Sequence, residues 1–184
     1  MSEWGNPQQA GVDRYAYSYL AGILDGEGGI NINYSGPTRD CYRMRVYVVN
    51  TDLRLIKWLK SKFGGYIYRR KTKEGYKTKW EWYHYDDKST ELLKECMPYL
   101  IVKKEQAELA IAFRDTVNNE HKLSEETKSL RKSFHTQMKS LNKRSWDSEE
   151  AVQLQSTERK ELIILASKLK DKYATVHSTS IAKV

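Results

Sequence analysis

Cysteine is scarce, with two residues in 184, Cys41 and Cys96. They have neither zinc-ligand spacing nor the density of a disulfide scaffold, so buried free thiols in a reducing compartment are expected. No run approaches the roughly 18 consecutive apolar residues of a membrane span, and Met1 to Val12 lacks a basic-then-apolar leader. A soluble protein that is not exported, resident in the cytoplasm or an organellar matrix and without a membrane partner, is the expectation. Negative charge is in deficit, 24 acids against 32 Lys and Arg for a net charge of +8, which favours a polyanionic partner. A chain of this length with 39% hydrophobic residues holds one main core plus an extension and is too short for two full-sized domains. Nor is there an internal repeat of the first 120 residues.

What is present is a series of short periodic segments. Helical spacing runs from Val12 to Asp25 and is expected to stop at Gly28 and Gly29, where glycine accepts a left-handed cap. Ile30, Ile32 and Tyr34 then alternate with Asn31, Asn33 and Ser35, as a half-buried strand does. Ser35, Gly36 and Pro37 open a loop before a second strand in which Tyr42, Met44, Val46 and Val48 alternate with Arg43, Arg45, Tyr47 and Val49. Asn50 or Thr51 can cap a helix carrying Leu55, Ile56, Leu59 and Phe63, ended by Gly64 and Gly65. Strands Tyr66 to Lys71 and Tyr76 to Tyr85 form a second hairpin through Lys73, Glu74 and Gly75. Asp86 and Asp87 can cap a helix with Leu92, Leu93 and Cys96 that stops before Pro98, and another helix runs from Lys103 to Val117.

Beyond Asn118 and Asn119 the strands cease. Leu130, Phe134, Met138 and Leu141 share helical spacing, as do Leu162, Leu165, Leu169 and Tyr173, with Asn142 to Ser148 as their connection and a frayed end past Ala174. The division expected is a domain over 1–120 and a helical extension over 121–184, which braces the sheet and touches backbone phosphates. The fold class is α+β, an αββαββα unit with a four-stranded antiparallel sheet plus that carboxy-terminal extension. One copy of such a unit leaves an open sheet whose counterpart a second chain would supply.

The chemistry centres on Tyr19 to Ile30, YLAGILDGEGGI. Ser18, Gly22 and Gly26 lie four apart on one helix face, where a second backbone can approach closely, either from another chain at a dimer interface or from within this one. A two-fold axis along that face would bring the Glu27 of each chain together, and paired carboxylates repel unless cations lie between them. Such hard oxygen ligands suit Mg²⁺ (or Mn²⁺), and two ions clamping a phosphate hydrolyse phosphodiesters. A solvated acid at a helix end is the plainer reading of Glu27. Asp25 is better placed to hold neighbouring backbone than to bind metal.

Leu20 to Gly28, LAGILDGEG, resembles the LAGLIDADG motif of homing endonucleases, with helix, strand, strand, helix, strand, strand, helix around it, over about the first 120 residues. The resemblance implies a magnesium-dependent, sequence-specific endonuclease of the single-motif type, a homodimer whose two sheets form a saddle on double-stranded DNA. It implies cleavage of both strands across a minor groove, leaving short 3′ overhangs at a long, nearly palindromic site. Glu27 takes the place of the motif's metal-binding acid, with the Gly26 carbonyl beside it; Glu for Asp is a departure from the motif. Asn50 and Lys103 match the two polar positions around the metal site, positioning and polarising water, although Lys104 fits nearly as well and Asn50 also suits a helix cap. The family also includes binding proteins that do not cut, acting as RNA-splicing maturases on intron RNA or as DNA-binding regulators.

From Arg39 to Lys79 there are thirteen Lys or Arg against Asp40, Asp52 and Glu74. Alternation gathers Asn31, Asn33, Arg43, Arg45, Tyr47, Tyr66, Tyr68, Arg70, Lys77, Lys79 and Glu81 on one sheet face, a mixed surface suited to base edges and phosphates of DNA. A merely solvated face is the alternative. His84, among aromatics, is expected to be packed, His135 and His177 have no partner in sequence, and Asn118 to His121 lacks the ββα-metal context of the histidine-asparagine nucleases.

Overall fold

The structure is a computed structural model that describes residues 14–36, 41–117, 123–143 and 149–181, with side chains for all of these except 149–155 and 175–181. Asn118 to His121, the side chain of His177, and most of the connection after Asn142 lie outside what is described. Helix α1 spans Arg14–Glu27 and passes directly into strand β1, Gly28–Tyr34; β2 is Tyr42–Asn50, and α2 is Leu53–Phe63. Strands β3, Tyr66–Arg69, and β4, Trp80–Tyr85, precede α3, Asp86–Cys96, a 3-10 turn at Met97–Tyr99, and α4, Lys104–Asp115. Two further helices follow, α5, Glu125–Asn142, and α6, Glu149–Ile181.

The strands form one antiparallel sheet in the order β1-β2-β4-β3. In β1, β2 and β4 side chains of even number face the helices, and in β3 Ile67 does: Ile30, Ile32, Met44, Val46, Val48 and Trp82 are buried in one cluster with Leu20, Leu24, Ile56, Leu59, Leu93 and Phe113. Register sets the opposite face, with Asn31 opposite Arg45, Asn33 opposite Arg43, Tyr47 opposite Tyr83 and Tyr68 opposite Glu81. The period-two pattern therefore delivers one apolar layer and one polar layer, as alternation predicts.

Several local expectations are corrected. Gly28 and Gly29 do not cap α1 in a left-handed conformation; they open β1, and only Gly36, Gly64, Gly65 and Gly75 among the described glycines have positive φ. Glycine is needed there for space, since a Cβ on Gly28 would lie 2.7 Å from the Leu24 Cα and one on Gly29 would run into the Tyr47 ring. The cap of α2 is Asp52, which accepts from the Arg54 N–H, rather than Asn50 or Thr51. Asp86 and Asp87 do not cap α3, whose N-cap is Tyr85; the Asp86 carboxylate reaches across to the Arg43 guanidinium at 2.8 Å and the Met44 N–H. Strand β4 begins at Trp80, so Lys77 and Lys79 precede it, exposed, although the Arg70 N–H still donates to the Lys79 carbonyl at 2.9 Å.

Helices α5 and α6 share the core. Phe134, Met138 and Leu141 from α5 and Ala166 from α6 are buried in the same cluster as the sheet. On α6 the spacing of Leu162, Leu165, Leu169 and Tyr173 does not mark the most buried face: Leu165 is exposed, while Ala166 and Arg159 are buried. Arg159 lies 2.9 Å from the Glu105 carboxylate of α4. Helix α6 also continues past Ala174 to Ile181 instead of fraying there. Cys96 is buried and free, its thiol pushed up to about 12 by burial, whereas Cys41 is only half-buried.

Candidate active site and nucleic-acid interface

Helix α1 is divided between two faces. Ala16, Leu20, Ala21 and Leu24 are buried, while Tyr15 and Tyr19 on the outside are 87% and 55% exposed. Gly22 and Gly26 are also exposed, and a Cβ built on either has nothing within 4 Å. Ser18 is half-exposed and its hydroxyl donates to the Tyr15 carbonyl of the preceding turn. Among the described residues nothing packs on Gly22 or Gly26, so within that set the stripe is an outer surface.

Glu27 ends this helix with an exposed carboxylate. The acid two residues before it is used differently. Both Asp25 oxygens accept backbone N–H groups, from Ile101 at 2.8 Å and Lys103 at 2.9 Å, which ties the segment before α4 to the end of α1. The Lys103 ammonium completes the tie by donating to the Asp25 carbonyl at 2.6 Å, where the carbonyl end of a helix attracts a cation. Burial draws the Lys103 ammonium below the ordinary lysine value, with the Asp25 charge opposing. Lys104, the competing candidate, is exposed as the first residue of α4.

Asn50 arrives from the sheet. Gly28 pairs with Val48, so the end of β2 lies beside the end of α1, and the Asn50 side-chain oxygen accepts the Asp52 N–H at 2.8 Å. A backbone N–H must meet the amide oxygen, so the Asn50 NH₂ group is the part left to hold a water or a phosphate. Glu27, the Gly26 carbonyl, Asn50 and Lys103 are therefore carried to one end of α1 by three separate elements. Among the described residues no group of three or more His, Cys, Asp or Glu gathers to hold a metal ion, and of the two acids at the end of α1 Asp25 is held by backbone N–H groups while Glu27 is exposed.

On the open face of the sheet, the residues gathered by alternation share one surface, but two of the predicted readers are clamped. Glu81 is 2% exposed, its carboxylate held between the Arg45 guanidinium and that of Arg70, the latter at 2.6 Å. Arg45 is ringed by Tyr83, Tyr47 and Tyr85, with its guanidinium carbon 4.6, 5.3 and 5.6 Å from their ring centres, and its side chain is 19% exposed. Glu81 thus orients arginines instead of presenting an acceptor of its own. Arg43 lies over Tyr85 at 4.4 Å and is held by Asp86, whose hydrogen bond raises its pKa. Tyr66 stacks on Tyr83 with centroids 5.6 Å apart.

Tyr83 and Tyr85 were not among the predicted residues, although continuing the alternation from Glu81 would have found them. Exposed positive charge concentrates around the second hairpin, at Lys71, Lys73, Lys77, Lys79 and Arg69, the last over the Trp80 ring at 5.8 Å. Asn33 is exposed and Asn31 half-buried. His84 is packed as expected, 3.0 Å from the Phe63 carbonyl, while His135 does have a partner, the Ile32 carbonyl at 2.6 Å.

No family model matches the sequence and no curated protein matches it. Solved structures do match. The homing endonuclease I-CvuI in complex with its target, in the presence of calcium, is 18% identical over 82% of this chain and 96% of that one, with a TM-score of 0.60. I-Vdi141I, an archaeal intron-encoded homing endonuclease complexed with DNA, is 13% identical over 86% of this chain and 98% of its own, also at 0.60. The LAGLIDADG homing endonuclease I-GzeII in complex with its DNA target is 19% identical over 67% of this chain and 43% of that one, at 0.51. At such identities the likeness is one of fold. No helix among the described residues is long and apolar enough to cross a membrane.

Proposed function

We propose that this chain, whose fold is that of the LAGLIDADG homing endonucleases, is a sequence-specific double-stranded DNA endonuclease that cuts as a symmetric homodimer. The observation that carries the reading is an exposed carboxylate, Glu27, at the end of a helix on whose outer stripe a Cβ built at Gly22 or Gly26 meets nothing within 4 Å among the described residues. Two such stripes in contact would bring two Glu27 side chains to one axis, and supply the second carboxylate that a single chain lacks. The chain also spans nearly the full length of I-CvuI and I-Vdi141I, as expected for a one-motif protein that completes its site by pairing.

The donors fit a hard divalent cation: an exposed carboxylate and a main-chain carbonyl in the last helical turn, where no later turn takes the oxygens. Glu27 and the Gly26 carbonyl would hold Mg²⁺ (or Mn²⁺), which when bound supplies charge at the scissile phosphate and a more acidic water. The remaining work falls to the chain. The Asn50 NH₂ group orients the attacking water, and the Lys103 ammonium, fixed on the Asp25 carbonyl, faces negative charge developing on the phosphate. Arg45, Arg70, Tyr47, Tyr66, Tyr68, Asn31 and Asn33 lie along the major groove, with Arg43, Lys77 and Lys79 toward phosphates.

Incubation with a randomised duplex library and Mg²⁺ tests the proposal. Cutting of both strands at a selected, nearly palindromic sequence is the expected result, and folded protein that cuts no sequence overturns it. Glutamate in place of the motif's aspartate shifts the carboxylate by roughly one bond length, and octahedral Mg²⁺ is strict about geometry. That favours one second reading, a binding protein that does not cut and serves as an RNA-splicing maturase or a DNA-binding regulator. Glu27→Gln separates the two, since a nuclease loses cutting while keeping affinity and a pure binder changes little.

A further inference from the structure

The carboxy-terminal helices reach a residue of the reading face. Strand β1 is an edge of the sheet, and α5 lies along it: the His135 ring nitrogen meets the Ile32 carbonyl at 2.6 Å and the Asn142 side-chain NH₂ donates to the Ile30 carbonyl at 3.0 Å. The same NH₂ group lies 2.8 Å from the Asn31 side-chain oxygen. These two contacts settle the orientation of both amides by elimination. A main-chain carbonyl only accepts, so the Asn142 atom facing Ile30 is its NH₂; an NH₂ only donates, so the Asn31 atom facing it is its oxygen.

We infer that Asn142 is a specificity-determining residue that acts through Asn31, turning a side chain able to read adenine into one that leads with donors. An asparagine reads adenine by presenting its oxygen to N6 and its NH₂ to N7 together. With its oxygen committed to α5, Asn31 has its NH₂ group to offer a base, and that group fits the acceptors of guanine, N7 and O6, or O4 of thymine. Asn31 shares its face with Arg45, its register partner on β2, so it belongs to the surface assigned to the major groove. The inference rests on the duplex-binding reading above. It gives the extension a part in sequence choice beyond bracing the sheet, and in a homodimer it applies at two symmetry-related base pairs.

The test is selection of bound duplexes from a randomised library in Ca²⁺ by the unmodified chain and three variants, with thermal melts to establish folding. Asn31→Ala should erase base preference at one symmetric pair of positions and so locate them. There the unmodified chain should select guanine or thymine. Asn142→Asp places a carboxylate against Asn31, which draws the Asn31 NH₂ inward and turns its oxygen outward, so preference should move roughly tenfold toward cytosine or adenine, whose amino groups donate. Asn142→Ala should relax the same positions toward adenine, and it decides the matter if the aspartate variant does not fold. Unchanged preference in folded Asn142 variants, or no preference lost in Asn31→Ala, overturns the inference while leaving duplex recognition standing. Failure of the unmodified chain to select any duplex removes the duplex-binding reading itself and the inference with it.

Discussion

A buried carboxylate between two guanidinium groups costs solvation that only its partners return. Glu81 is in that position, so Glu81→Ala leaves Arg45 among tyrosine rings without its anion, and a loss of about 2 kcal/mol is expected. Urea titration should report it as a lower midpoint at unchanged slope, and DNA affinity should fall with it because Arg45 and Arg70 lose their orientation. His84 provides a pH effect whose sign follows from burial. Desolvation lowers its pKa below 6.5 in the folded state, so below that value the unfolded chain binds more protons than the folded one. Stability should therefore be full above about pH 6.5 and decline as pH falls from there toward the lower folded value, and His84→Gln should flatten that decline in denaturant midpoints between pH 7 and 5. Alternation placed Glu81 on the right face, but period alone does not tell which strand lies alongside. The β2-β4-β3 adjacency that sets Glu81 between Arg45 and Arg70 arises from sheet order. Asp25 was legible as a holder of neighbouring backbone from its position near the helix end; its two N–H partners lie 76 and 78 residues along the chain, beyond local reasoning.

Among elements, β1 depends most on its surroundings. An edge strand with free carbonyls invites pairing with other chains, and α5 covers it with His135 and Asn142. Removing residues from 123 onward would uncover that edge along with Phe113 and the buried face of α4; the shortened chain should aggregate, seen as loss of a monodisperse peak in light scattering. Gly29→Ala should destabilise by about 1–3 kcal/mol, because its Cβ would displace Tyr47 from a packed position. The spacing of α5 announced Phe134, Met138 and Leu141 correctly, while Leu130 is only half-buried and the polar Thr127, Arg131 and Gln137 are buried beside them. On α6 the leucine stripe and the buried positions differ, since burial there is decided by Arg159 reaching the acids of α4, a polar anchor that hydrophobic periodicity does not register. Element ends moved wherever glycine or acid signals had more than one use, as at Gly28 and Asp86.

At the scale of the whole molecule the exposed helix stripe makes opposite demands on one chain and on two. Among the described residues nothing lies within 4 Å of a Cβ on Gly22, so in an isolated chain Gly22→Ala should raise stability by about 0.5–1 kcal/mol through helix propensity. In a dimer held by close helices, Gly22→Leu should yield a folded monomer in analytical ultracentrifugation, with cutting lost. A monomeric unmodified chain on its duplex would sink the paired site altogether. One further property follows from the junction at Glu27 and Gly28, where α1 becomes β1 with no intervening turn. Under the proposed function, helix and strand carry the acid at their joint and the base-contacting side chains along the strand, so a nuclease built this way would hold a fixed offset between the letters it recognises and the bond it opens. Redesigning the reading face should change which sequence is chosen and leave that offset constant. A single residue inserted at the joint should instead put recognition and scission out of phase, giving an intact footprint on a strand that is no longer broken.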